Sequence, residues 1–368
     1  MRSRQPARWQ AASPTNAEST FIWFEEARMN RREFVSALGV LPLAANAALT
    51  AQAVPAAEAA RLRAAAASPF PVIDTHIHIF DKTRVGGMPY PRDMPGGGEP
   101  QQGYVALPGR YRLVASPFGV VGAIIVEASP RLEDNFWWLD VAKDNPIIVG
   151  LVGRIDPADA AFPKNLDRLV QNKLFLGIRQ GQLQLGLDKP EYLANLKRLA
   201  DADCNLDVDT PSLGITATEV LLKMLDKVPA LRLVMDHLPG VTYRVKEYSD
   251  RAAMQKYIEH LKELGRRPQA YMKLSEVVRT SDGRVSTDVN MYKEWLDELW
   301  SIFGDDRIMF GSDWPQSESV EYNSYPNVIG VARAYVSSKS QTAMEKVFWK
   351  NSTKPYRWVQ RDPSQRRT

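Results

Sequence analysis

The chain has 368 residues, 44% hydrophobic and 24% charged, with a formal net charge of +4. That composition supports a globular protein with a large core. Its one cysteine, Cys204, excludes an internal disulfide and a cysteine-rich zinc site. Much of the positive charge sits at the two ends, with no basic stripe interleaved with aromatics on the body, which excludes a nucleic-acid footprint.

Residues 1–28 have no clear periodicity and read as an upstream extension ahead of Met29. Residues 29–53 begin Met29-Asn30-Arg31-Arg32-Glu33-Phe34 and continue into an apolar run from Val35 to Leu49, followed by small residues. The run is close to a signal-peptide core in length and short for a membrane span. Paired arginines before a phenylalanine resemble a twin-arginine export signal, which implies a periplasmic protein that engages the twin-arginine export machinery. A basic amphipathic helix at an unprocessed N-terminus is the alternative. Residues 54–68 are alanine-rich and read as a linker.

From Pro69 the chain alternates β-branched runs with amphipathic stretches. Strands are expected at 72–79, 119–127, 147–154, 174–179, 204–209, 231–237, 269–275 and 307–313. Helices are expected at 132–144, 158–171, 191–202, 216–227, 246–264, 290–303, 327–336 and 341–349. Eight strands separated by helices predict an α/β fold, a single-domain (β/α)8 TIM barrel spanning 69–362, with a polar tail at 363–368. No Gly-x-Gly-x-x-Gly element follows a strand, which disfavours a dinucleotide fold. The Pro- and Gly-rich stretch 81–118 reads as a long rim or lid loop.

The first strand carries Asp74-Thr75-His76-Ile77-His78. Strict alternation puts Asp74, His76, His78 and Phe80 on one face. Two of the chain's four histidines thus lie side by side. Imidazole is the commonest metal ligand, so the pair points to metal binding or proton handling rather than ordinary packing.

In such a barrel the chemistry sits at the C-terminal strand ends. Those ends offer Glu127 on the second strand, Arg154 on the third, Arg179 on the fourth, Asp207 and Asp209 on the fifth, Asp236-His237 on the sixth, Lys273-Leu274-Ser275 on the seventh, and Gly311-Ser312-Asp313-Trp314-Pro315 on the eighth. Charges are costly in a barrel mouth unless paired or bound.

Taken together, Asp74-Thr75-His76-Ile77-His78, Gly177-Ile178-Arg179, Asp236-His237-Leu238-Pro239, Lys273-Leu274-Ser275 and Gly311-Ser312-Asp313-Trp314-Pro315 resemble the amidohydrolase superfamily. The resemblance is to its branch of sugar-lactone hydrolases and 2-pyrone-4,6-dicarboxylate lactonase, and covers about residues 70 to 362. Arg179 stands where many amidohydrolases carry a bridging lysine, and the fifth strand has no histidine, so nothing supports a two-metal centre. His76, His78, His237 and Asp313, with Glu127 replacing or adding a ligand, make a nitrogen and oxygen set for one divalent ion, zinc or manganese. Members of this branch also work without metal, and the histidines then donate hydrogen bonds to the carbonyl oxygen.

Asp313 is the expected proton acceptor and donor, with His237 beside it. Arg179 and Arg154 are expected to hold a carboxylate or lactone oxygen, with Trp314 and Ser275 as further substrate contacts. The bland alternatives are that Asp313 caps a turn, that His237 is a satisfied core histidine, and that Arg179 merely neutralises Asp207 or Glu127. The resulting expectation is a hydrolase that opens the cyclic ester of a sugar acid or unsaturated carboxylic acid, a small-molecule substrate. A metal-dependent decarboxylase and a non-catalytic barrel for a small anionic ligand are the alternatives. No span is expected in the mature protein, and a homo-oligomer is compatible with these features.

Overall fold

A computed structural model describes residues 69–87, 105–181, 186–209, 215–239, 251–278, 280–281, 284–316 and 324–366. The segments read as an export signal and a linker, and part of the 81–118 stretch, lie outside the described residues. Eight parallel strands form one sheet in the order β1 (Val72–Ile77), β2 (Val120–Val126), β3 (Ile148–Gly153), β4 (Phe175–Gln180), β5 (Asn205–Asp209), β6 (Arg232–Asp236), β7 (Ala270–Leu274) and β8 (Ile308–Phe310). Each strand pairs with its successor in the chain, as right-handed β–helix–β crossovers produce.

The first and last strands then meet. Ile77 bridges Trp314, His78 N donates to the Trp314 carbonyl at 2.7 Å, and Asp313 N donates to the His76 carbonyl at 2.9 Å. The Thr75 hydroxyl adds a bond to the Phe310 carbonyl at 2.7 Å. These bonds bring the sheet round into a barrel.

One helix follows each strand: α1 (Pro108–Ala115), α2 (Leu132–Lys143), α3 (Phe162–Leu169), α4 (Pro190–Asp201), α5 (Ile215–Lys227), α6 (Arg251–Arg266), α7 (Lys293–Phe303) and α8 (Tyr325–Ser337), with α9 (Gln341–Phe348) after the last. Apolar residues facing outward from the strands, such as Ile77, Ile125, Leu151 and Ile178, pack against them in the main core. Among the described residues no helix is long and apolar enough to cross a membrane. Cys204 is buried at the head of β5, and burial pushes its thiol pKa up to about 12.

A second apolar cluster draws Ile73, Ile124, Val149, Leu176, Val234, Tyr271 and Met309 from strands around the whole ring. It therefore lies inside the ring. Trp349, Tyr356 and Trp358 belong to it, so the segment after α9 closes the barrel floor. The Pro355 carbonyl accepts from Arg232 Nε at 2.7 Å, and Arg232 opens β6, which fixes the plug at the N-terminal face.

Local differences from the sequence expectations have physical causes. The pairing register of β1 shifts between Asp74 and Ile77. Asp74 consequently leaves the histidine face and accepts from Tyr111 of α1 at 2.8 Å and Tyr325 of α8 at 3.1 Å. The expected helix 158–171 begins only at Phe162. Before it, the Asp156 and Asp159 carboxylates take the Ala158 and Ala161 amides into turns, and Pro163 sits in the first helical turn. The stretch read as a loop over 81–118 contains α1 and a short antiparallel pair, Phe80–Asp81 with Val105–Ala106.

Candidate active site

Three acceptor atoms converge at the C-terminal end of the β1–β8 seam. His76 Nε2 lies 3.2 Å from His78 Nε2, and Asp313 Oδ1 lies 3.1 Å from His78 Nε2 and 3.5 Å from His76 Nε2. The Val126 carbonyl stands 3.0 Å from His78 Nδ1 and can only accept, so that nitrogen carries a hydrogen. A neutral His78 then turns a lone pair toward a carboxylate oxygen, and the two acceptors need a proton or a cation between them. Gly311 permits the approach: a Cβ there would stand 2.8 Å from the His76 Cβ.

His237 brings a third ring to the group. It leaves the end of β6 with φ +61°, and its ring centroid lies 4.6 Å from that of His76. Ser275 Oγ, just past β7, holds its Nδ1 at 3.1 Å. Glu276 and Asp313 share the positive φ, at +52° and +58°. Three non-glycine residues in this costly conformation thus follow the ends of β6, β7 and β8 at one mouth. Ligand atoms of His76, His237 and Asp313 all lie within 4.8 Å of one another, and all three residues are buried.

Burial, and then the nearby Lys273, hold the His76 pKa well below the ordinary imidazole value, and burial does the same to His237. Both rings are therefore neutral and able to offer lone pairs. Burial alone would raise the Asp313 carboxyl; the neighbouring charges, Arg179 among them, outweigh it and keep its pKa below the usual range.

Beneath the rings lies a charge cluster that is wholly buried except at Arg179. Lys273 Nζ stands 2.8 Å from Asp207 Oδ2 and 2.7 Å from Asp236 Oδ1, and Arg179 Nε stands 2.8 Å from Asp236 Oδ2. Burial favours the protonated form of Asp236, but Lys273 and Arg179 overcome it and hold the group ionised.

A family model for amidohydrolases matches residues 73–358. The chain belongs to the amidohydrolase family. Two L-fucono-1,5-lactonases are similar to this amidohydrolase. That of Burkholderia ambifaria is 25% identical over 54% of this chain, and the match spans 66% of its own length. That of Burkholderia multivorans is 24% identical over 75% of this chain and 92% of its own. A Burkholderia multivorans amidohydrolase solved with bound zinc shares the fold at a TM-score of 0.66, with 22% identity over 78% of this chain and all of that one.

The donor set of this amidohydrolase fits one divalent ion. Ligands about 2.1 Å from a metal in tetrahedral array stand about 3.4 Å apart. The 3.1, 3.2 and 3.5 Å separations among His78, His76 and Asp313 match that spacing. Two imidazoles and a carboxylate are also the donors such an ion takes.

Of the residues expected at the site, His76, His78, His237 and Asp313 meet. Glu127 lies aside from that cluster, with Oε1 3.1 Å from Arg154 and 3.9 Å from Arg179, and Oε2 accepting from the Ser129 amide. Arg179 binds Asp236, and Asp209 at 3.3 Å; of the two partners its bland alternative named, Glu127 lies 3.9 Å away, while Asp207 is held by Lys273. Ser275 faces His237. Trp314 does not line the mouth as expected. It is fully buried in the core, edge-on to Tyr111 at 5.3 Å, where the barrel seam closes over it. Lys273 and Tyr356 were not singled out as site residues. The one signal for Lys273 was an isolated cation in an apolar strand, two residues from Ser275 and so on its face.

Proposed function

We propose that this amidohydrolase opens the cyclic ester of a sugar acid by attack of water on the lactone carbonyl. The observation that carries the reading is the meeting of His76, His78 and Asp313 from the two ends of the barrel around one point. The likeness to two L-fucono-1,5-lactonases supports a sugar-acid lactone as substrate.

His76, His78, His237 and Asp313 would hold one divalent ion, zinc or manganese. When bound, such an ion lowers the pKa of water and polarises a carbonyl. Asp313, ionised at neutral pH, takes the proton of the attacking water as its oxygen bonds to the carbonyl carbon. The ring C–O bond then breaks, and Asp313 returns that proton to the leaving alkoxide. The product is a hydroxy acid, which releases its own proton to solvent. Ser275 keeps the His237 ring in register, while Arg179 and Arg154 stand at the β4 and β3 ends, where a ring or carboxylate oxygen of the substrate can reach them.

Acid release at constant pH from a panel of aldonolactones, L-fucono-1,5-lactone included, tests the reading. Wild type is expected to consume base in proportion to lactone opened. Asp313→Asn is expected to lose turnover by about a thousandfold with an unchanged melting temperature. Carbon dioxide release from carboxylated substrates with no lactone opened would favour a decarboxylase, and binding without turnover a capture protein.

We also propose that residues 29–53 act as a twin-arginine signal and carry the barrel to the periplasm, on the paired Arg31-Arg32 before Phe34 and the apolar run that follows.

A further inference from the structure

Strand β7 supplies none of the converging donors, yet it touches two of the rings. Lys273 and Ser275 are two residues apart and so face the same way into the barrel. Ser275 holds Nδ1 of His237, and Lys273 Nζ lies 3.3 Å from Nδ1 of His76. Lys273 is wholly buried. A buried ammonium is tolerable only with counter-charges in good geometry, and here it has two. Asp207 and Asp236 stand at 2.8 and 2.7 Å.

Each anchor is itself held. Tyr356, from the plug that closes the barrel floor, donates its hydroxyl to Asp207 Oδ2 at 2.8 Å, and its ring lies 5.3 Å below the ammonium. Asn205 donates to the other oxygen of Asp207. Arg179 takes the second oxygen of Asp236, whose first oxygen also lies 3.5 Å from Nδ1 of His76. The back of the His76 ring thus rests on a rigid ion cluster, while its front, Nε2, faces His78 and Asp313.

We propose that Lys273 is a positioning residue of the site. Clamped between Asp207 and Asp236 and braced from the floor by Tyr356, it fixes Asp236, whose Oδ1 faces Nδ1 of His76 and can accept its hydrogen, so that the Nε2 lone pair is directed at the metal position. Groups behind a metal-binding histidine typically contribute about ten- to a hundredfold in metal affinity. The inference rests on the reading of His76, His237 and Asp313 as the metal-holding group.

Zinc binding to the chelator-stripped protein, followed by competition with a coloured chelator and with no substrate present, reads the inference directly. Lys273→Met alone leaves two buried carboxylates without their cation and is expected to lower the melting temperature. The charge-balanced pair Lys273→Met with Asp207→Asn removes one charge of each sign and is expected to recover it. Zinc affinity of the pair is expected to stay at least about tenfold below wild type, with kcat reduced and KM within twofold. Tyr356→Phe, which deletes one hydroxyl, is expected to keep the fold and weaken zinc binding severalfold.

A pair that folds and binds zinc like wild type overturns the inference. Should the pair not fold, Tyr356→Phe binding zinc like wild type overturns it equally, as does a wild type that takes up no zinc. A wild type that binds zinc and opens no lactone refutes the lactonase reading while leaving the zinc comparison to decide this one.

Discussion

At the scale of single residues, the site shows how much a side chain depends on what stands behind it. His237 offers a lone pair only if its ring is oriented, and Ser275 Oγ at 3.1 Å from Nδ1 is what orients it. Ser275→Ala removes that contact without changing charge or volume much. It is expected to lower kcat by about tenfold, leave KM within twofold and shift the melting temperature by less than 3 °C, checked by steady-state kinetics and thermal unfolding. The rings and carboxylate themselves were legible in the sequence because histidine is scarce here and each one stands at a strand end. Lys273 was not. A lysine after three apolar residues reads the same whether its ammonium points to solvent or to two aspartates. Asp74 was misread for a related reason. Period-two counting cannot see the register shift between Asp74 and Ile77 that turns its carboxylate outward to Tyr111 and Tyr325.

Elements were easier to foresee than their ends. The eight strands lie where β-branched runs predicted them, since a buried strand leaves little choice of residue. β8 nonetheless stops at Phe310 instead of 313, because the Ser312 amide is drawn off to the Asp74 carboxylate at 2.8 Å and Asp313 turns to positive φ. α1 went unseen because its Pro-Gly start and mixed faces give no clear helical stripe. The barrel floor was also unseen: Tyr356 and Trp358 lie after the last repeat, and only the closed ring gives them a place to go. Trp358 is fully buried there, with its indole nitrogen donating to Ser352 Oγ at 2.9 Å. Trp358→Ala is expected to cost about 3–5 kcal/mol of stability, read by denaturant unfolding. A cost under 1 kcal/mol would mean that the plug is not part of the cooperative fold.

For the whole molecule, the barrel and the proposed export signal make separate demands. The twin-arginine route carries folded proteins, so on that proposal the barrel would be complete before it crosses. Cell fractionation of the full chain is expected to place the barrel in the periplasm, and Arg31→Lys with Arg32→Lys to retain it inside with its lactone activity intact. Periplasmic recovery of that double variant would reject the twin-arginine assignment. Cys204 suits either compartment: a buried thiol with a pKa near 12 offers almost no thiolate for oxidation.

The backbone bonds at the seam, His78 to Trp314 and Asp313 to His76, have a consequence for synthesis. The imidazole pair emerges from the ribosome more than two hundred residues before its carboxylate partner. No shorter nascent chain holds the full set of donors, so the centre comes into being only when the last strand docks against the first. Ring closure and the assembly of the donor set are one event, and a barrel exported as proposed would leave the cytoplasm with that set already in place.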